Sequence, residues 1–208
     1  MFQIAKRFLG QTSLPIWQVF LMEFCLIVVS ILIAFSLQNW NQDLQKKQEL
    51  KNLLVVLQNE LETNLAQLKS DEVIRRRVYT NIESLISQPE EIEGLRGREI
   101  LLKMTSPTLG LTTVETTAWE IAKDRQILTN LSFENLRPIK RAYKVQNFID
   151  HDSNQEILEH ISKSFYNSER FDIELLQLKD FYDEYFTRVE YVQKMIEFAI
   201  EEIETLNP

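Results

Sequence analysis

Apolar residues follow two different patterns along this chain. From Ile16 to Leu37 the sequence reads IWQVFLMEFCLIVVSILIAFSL, apolar on nearly every helical face, with Glu23 as its single charge. After Trp40 the apolar residues thin into stripes spaced three and four apart. The first pattern matches the roughly 20 residues a helix needs to cross a hydrocarbon core. A helix apolar all round also finds too few neighbours to bury it in a chain of this size. The pattern therefore predicts a transmembrane helix over 16–40. Trp17 and Trp40 bracket it at the depths where indoles anchor in the membrane interface. Ser30 and Ser36 can donate back to carbonyls of their own helix.

The second pattern predicts amphipathic helices. Leu50, Leu54, Leu57, Leu61 and Leu68, followed by Val78, Ile82 and Leu85, mark one from Asn41 to Ser87 that continues directly from the span. Ser70-Asp71 offers a break within it. Pro89 to Arg98 reads as a loop. A short helix over Glu99 to Thr105 stops before Pro107, and a turn around Gly110 follows. A helix from Val114 to Arg125 comes next, with Trp119 as a packing anchor. Another, capped by Ser132, runs from Phe133 to about Asp150 and places Pro138 near its start. Residues His151 to Asn154 read as a polar hinge in which Ser153 caps the next helix.

The last segment carries the most regular pattern. Leu175, Leu178, Tyr182, Tyr185, Val189, Val192, Ile196, Ala199, Ile203 and Leu206 alternate steps of three and four, a coiled-coil-type seam. No stretch sustains the period of two that a strand requires, so the fold class is all-α. Two long stripes separated by short helices predict an antiparallel bundle, with the short helices at the end away from the membrane. The same seam, at Tyr182, Tyr185, Val189, Val192 and Ile196, could instead pair with a second subunit. The chain thus divides into a short basic tail (1–15), the span (16–40) and a helical extra-membrane domain (41–208).

Composition sharpens this only in places. With 208 residues, 44% hydrophobic and 26% charged, and only four Gly, five Pro and one Cys, the chain is neither collagen-like, disulfide-stapled nor disordered. Its net charge of -8 argues against general nucleic-acid binding. Cys25 lies inside the span, so the remainder is free of thiols. Lys6 and Arg7 precede the span, while Lys46, Lys47 and Lys51 follow it. The expected topology places the N-terminal tail in the cytoplasm and the large domain in the periplasm. Ala34-Phe35-Ser36 has signal-peptidase spacing, but the helical pattern runs on without Pro or Gly to expose it for cleavage.

The run MEFCLIVVSILIAFSLQNWNQ resembles the N-terminal signature of a family of uncharacterised bacterial single-pass membrane proteins. The matching residues are Glu23, Val28, Val29, Ile31 to Ala34 and Asn39 to Asn41; the family's usual Gly is Ser30 here. A second, weaker island is TTAWEIAKDRQILTNLSFENLRPIKRAY. Together the two islands cover about a quarter of the chain. The resemblance implies an inner-membrane anchor with a helical domain outside the bilayer, and it carries no activity.

Among residues that could carry chemistry, Glu23 stands out, because a carboxylate in hydrocarbon invites a partner on another membrane helix. Set against this, it lies near enough the interface to snorkel. Glu156 and His160 are one turn apart, but no second His or Cys completes a metal site. Arg75-Arg76-Arg77 reads as a solvated face, since consecutive helical residues diverge. Phe181, Tyr182, Tyr185, Phe186, Tyr191 and Phe198 could line a ligand pocket or simply fill the core. Glu and Gln side chains are the expected partners of buried Tyr hydroxyls. No nucleophile, phosphate-loop or zinc motif is present.

The expected function is accordingly a membrane-anchored interaction or scaffold protein without catalysis, cofactor or metal. Its partners would be the lipid bilayer and its own oligomer or another membrane protein, with no nucleic acid. The alternative is a sensory or ligand-binding bundle that signals through a membrane partner.

Overall fold

The computed structural model describes residues 16–105, 108–125, 127–165 and 170–206, all helix, turn or loop with no strand among them. Helix α1 runs unbroken from Ile16 to Ser87. A 3₁₀ turn at Pro89–Glu91 leads to α2 (Gly97–Thr105), and an irregular segment over 108–116 leads to α3 (Thr117–Asp124). After a 3₁₀ turn at Ile127–Asn130 come α4 (Phe133–Asn147), a π-helical turn (Phe148–Ser153), α5 (Asn154–His160) and a second π-helical turn (Ile161–Phe165). Helix α6 spans Phe171–Leu206. The chain forms two compact units, Met1–Gln48 and Glu49–Pro208.

In the first unit the described residues are the N-terminal part of α1. Its apolar side chains stand open, with Trp17, Phe20, Phe24, Leu32, Phe35 and Trp40 all exposed. Ser30 and Ser36 donate to Leu26 O and Leu32 O, as their spacing predicts.

The second unit is built on an antiparallel pairing of α1 with α6. Glu83 meets Lys179 (3.2 Å), Tyr79 packs edge-on against Phe186 (5.6 Å) and Lys69 reaches Glu197 (2.8 Å), so the register descends one helix as it climbs the other. The facing stripes are the core. On α1 they are Leu54, Leu57, Leu61, Leu68, Val78, Ile82 and Leu85; on α6 they run from Leu175 through Ile203. Each such side chain contributes about 1.5–3 kcal/mol of burial. Helix α4 packs along α6 with Ile139, Ala142 and Tyr143 inward.

Several local expectations change. No break occurs at Ser70-Asp71, because buried residues on both sides keep α1 in register with α6. Val114 lies in the irregular segment, and α3 starts only at Thr117. Ser132 does cap α4, accepting from Asn135 N–H (3.2 Å). Ser153 caps nothing: the helical path runs through it as a π turn, and its hydroxyl accepts from Arg188 (2.9 Å).

Candidate functional site

Two features stand apart from ordinary core and surface. The first is the N-terminal part of α1, the one helix among the described residues long and apolar enough to cross a membrane. Its most apolar window has a mean hydropathy of 2.6 and none of it is buried. Glu23 sits half-buried within this stretch, and Trp17 and Trp40 are 64% and 62% exposed. Exposure of so many large apolar groups in sequence is far beyond what a soluble surface carries.

The second feature is polar and buried. Asn64 and Arg75 sit at heptad positions of α1, on the buried stripe that runs from Leu54 to Leu85. Arg75 was expected on a solvated face; its neighbours Arg76 and Arg77 are exposed, but Arg75 itself is 0% exposed. The step of seven from Leu68 to Arg75 keeps it on the apolar stripe, and burial follows from that register.

Three acceptors meet its guanidinium. Leu68 O lies 2.6 Å from Nη2, while Thr112 Oγ1 and Gly110 O lie 2.6 and 3.3 Å from Nη1. Tyr185 offers its ring face 5.7 Å away. Burial pushes the guanidinium below its usual range, and Tyr185, Asp71 and Glu72 oppose that shift.

The segment over 108–116 supplies most of the acceptors and crosses α1 at Arg75. Gly110 makes the crossing possible: its φ is +70°, and a Cβ there would come 2.8 Å from Arg75 N. Tyr182 donates to Leu109 O (2.7 Å). Thr112 N–H donates to Tyr185 Oη (3.2 Å), whose hydroxyl donates to Asn154 Oδ1 (2.9 Å). Asn154 closes the ring by donating to Thr112 O (2.8 Å). Backbone carbonyls and Asn154 therefore satisfy these tyrosines, where Glu and Gln were expected. Burial raises the phenols of both Tyr182 and Tyr185.

A second polar layer lies further along α1. Asn64 Nδ2 donates to Glu115 O and Gln146 Oε1, both at 2.7 Å, and Asn64 Oδ1 accepts from Glu115 N–H (2.9 Å). Glu60 accepts from Ala118 N–H (2.7 Å), at the start of α3. Trp119 stacks on Tyr143 at 5.0 Å, which anchors α3 to α4. Burial is the largest cause raising the Tyr143 phenol, and Glu60 adds to it.

The remaining sequence candidates disperse. Tyr182, Tyr185, Val189, Val192 and Ile196 are buried within a single chain, so the seam is filled without a second subunit. The six aromatics form no common pocket. Phe181 lies against His160 and Phe186 against Tyr79, while Tyr191 and Phe198 are exposed. The largely buried side chain of His160 faces Glu174 at 3.4 Å, joining α5 to the first turn of α6. Among the described residues no group of three or more His, Cys, Asp and Glu side chains is gathered for a metal ion. A cleft of about 210 Å³ between α1 and α6 is lined by Glu72, Arg76, Phe186, Glu190 and Gln193, with Arg75 as its floor.

No protein-family model, curated protein or solved structure matches this chain.

Proposed function

We propose that this chain is a single-pass membrane protein whose helical domain serves as an interaction or scaffold module. The observation that carries the reading is the uncovered apolar run from Trp17 to Leu37, ended on one side by Trp17 and on the other by Trp40 and polar residues. Such a run is stable in hydrocarbon and costly in water. Its helical backbone hydrogen bonds are satisfied internally, as lipid requires.

Support for an interaction role comes from how the polar groups are used. Arg75, Thr112, Tyr185 and Asn154 bond to one another and to backbone inside the core. They hold the bundle together and present no open reactive group. The short basic tail is cytoplasmic and the bundle periplasmic in this proposal, with the bilayer and either another copy or another membrane protein as partners.

Paired reporters fused after Pro208, one active only in the cytoplasm and one only in the periplasm, test the arrangement. Periplasmic activity in a membrane-retained fusion is expected. Cytoplasmic activity overturns the topology, and a fusion found in the soluble fraction overturns the anchor.

A further inference from the structure

We infer that the membrane helix pairs in parallel with a second copy of this chain, through a face made of Glu23, Ser30, Ala34 and Asn41; the inference rests on the membrane reading above. These residues are separated by steps of seven, four and seven in a helix that runs unbroken past all of them. At about 100° per residue they fall within a strip about 40° wide. Phe24, Leu32 and Phe35 lie well outside the strip on the same turns.

The composition of that strip is unlike the rest of the span. It holds the only charge between Ile16 and Leu37, the only alanine and one of two serines. Small side chains let helix backbones approach, and lipid gives polar groups nothing to bond, so polar groups on one helix are driven toward those on another. Ser30 already donates to Leu26 O at 2.7 Å, which keeps its side chain close to its own helix. No hydrogen bond or ion pair reaches Glu23 from any other described residue.

Depth and direction select a second copy as the occupant. Every copy inserts with one orientation and holds Glu23 at one depth, so a parallel pair sets Glu23 beside Glu23 and Asn41 beside Asn41 with no further matching. Asn41 can both donate to and accept from its copy across such a pair. Polar residues at isolated seam positions are what fix register in paired helices. The span contains no Lys or Arg that would favour an antiparallel or ionic arrangement between copies. The seam of α6 is already filled inside the chain, whereas among the described residues Ser30, Ala34 and Asn41 are exposed and Glu23 is half-buried.

The test uses the full chain in its membranes, with Cys25→Ser as background and either Ala34→Cys or Leu32→Cys added. These two positions lie on opposite sides of the helix, about 160° apart. Mild oxidation is expected to give a covalent dimer from the Ala34→Cys chain, several-fold above the Leu32→Cys chain. Adding Glu23→Leu to the Ala34→Cys chain lowers the dimer yield about three- to tenfold, the range of interhelical hydrogen bonds. Glu23→Gln, which keeps hydrogen bonding, retains most of it. Equal or absent cross-linking from both positions in membrane-retained protein overturns the pairing. Equal loss with Leu and Gln overturns it too, because it assigns Glu23 to a cationic partner on another protein. Release of the chain by an alkaline wash overturns the membrane reading together with the pairing.

Discussion

Arg75 donates to the hydroxyl of Thr112 at 2.6 Å, and that hydroxyl donates in turn to Asp71 at 2.9 Å. One guanidinium thus joins α1 to the segment that crosses it, with its charge balanced through a hydroxyl relay. The same segment reaches α6 through Tyr182 and Tyr185 and reaches α5 through Asn154. A stretch without regular structure is held on three sides by core residues, and backbone groups of Leu109, Gly110, Thr112 and Glu115 are paired in the process.

Arg75→Ala is expected to lower stability by about 2–4 kcal/mol, because it leaves a void and strips donors from three buried acceptors. Arg75→Met should recover more than half of that loss, since an apolar group of similar size removes the cost of burying a charge. Denaturant midpoints of the detergent-solubilised full chain measure both. A Met variant no better than Ala would mean that the hydrogen bonds, and not the volume, dominate.

Two glycines with positive φ should respond unequally to alanine. Gly94 has a φ of +76° and open space around it, so Gly94→Ala costs only backbone strain, about 1 kcal/mol. Gly110→Ala adds a collision with the Arg75 backbone and should cost at least about twice as much. Equal shifts in the two melting temperatures would contradict the close crossing.

Asn64 and Gln146 form a buried pair whose members depend on each other. Asn64→Leu abandons Gln146 and both backbone groups of Glu115, at about 1–3 kcal/mol. The double change with Gln146→Leu removes a donor, Gln146 Nε2, that is already unpartnered. It is expected to cost less than the sum of the single changes, by about 0.5–2 kcal/mol. A double-mutant cycle by urea denaturation reads that coupling directly, and strict additivity would show that the layer is not a unit.

Alkaline pH should unfold the bundle cooperatively. Burial raises the phenols of Tyr143, Tyr182 and Tyr185 above the ordinary value of 10.0. A folded state that holds these protons more tightly than the unfolded state is fully stabilised below that value and loses stability as pH rises through it. Phenolate absorbance from the three should therefore appear together with the loss of helix by circular dichroism. Their gradual ionisation while the helix signal stays constant would place them in contact with solvent.

Periodicity alone was enough to identify the helices that matter most. Spacing of three and four along Leu54 to Leu85 and Leu175 to Ile203 commits both segments to amphipathic helices. Their length and the short elements between them imply an antiparallel pair. The largely apolar run from Trp17 to Leu37 likewise announces itself locally, because its hydrophobicity is a property of consecutive residues. The buried polar layers could not be read in this way. Arg75 follows Leu68 by seven residues and so could be placed on the apolar stripe, but its charge made exposure the better reading until Thr112, Gly110 and Leu68 supplied acceptors. Those acceptors are backbone and hydroxyl groups, up to 37 residues away, that no spacing marks. Whether α6 pairs within the chain or between chains was also open to sequence. Facing stripes are equally satisfied by any partner of matching period, and only the tertiary arrangement showed that α1 takes that place.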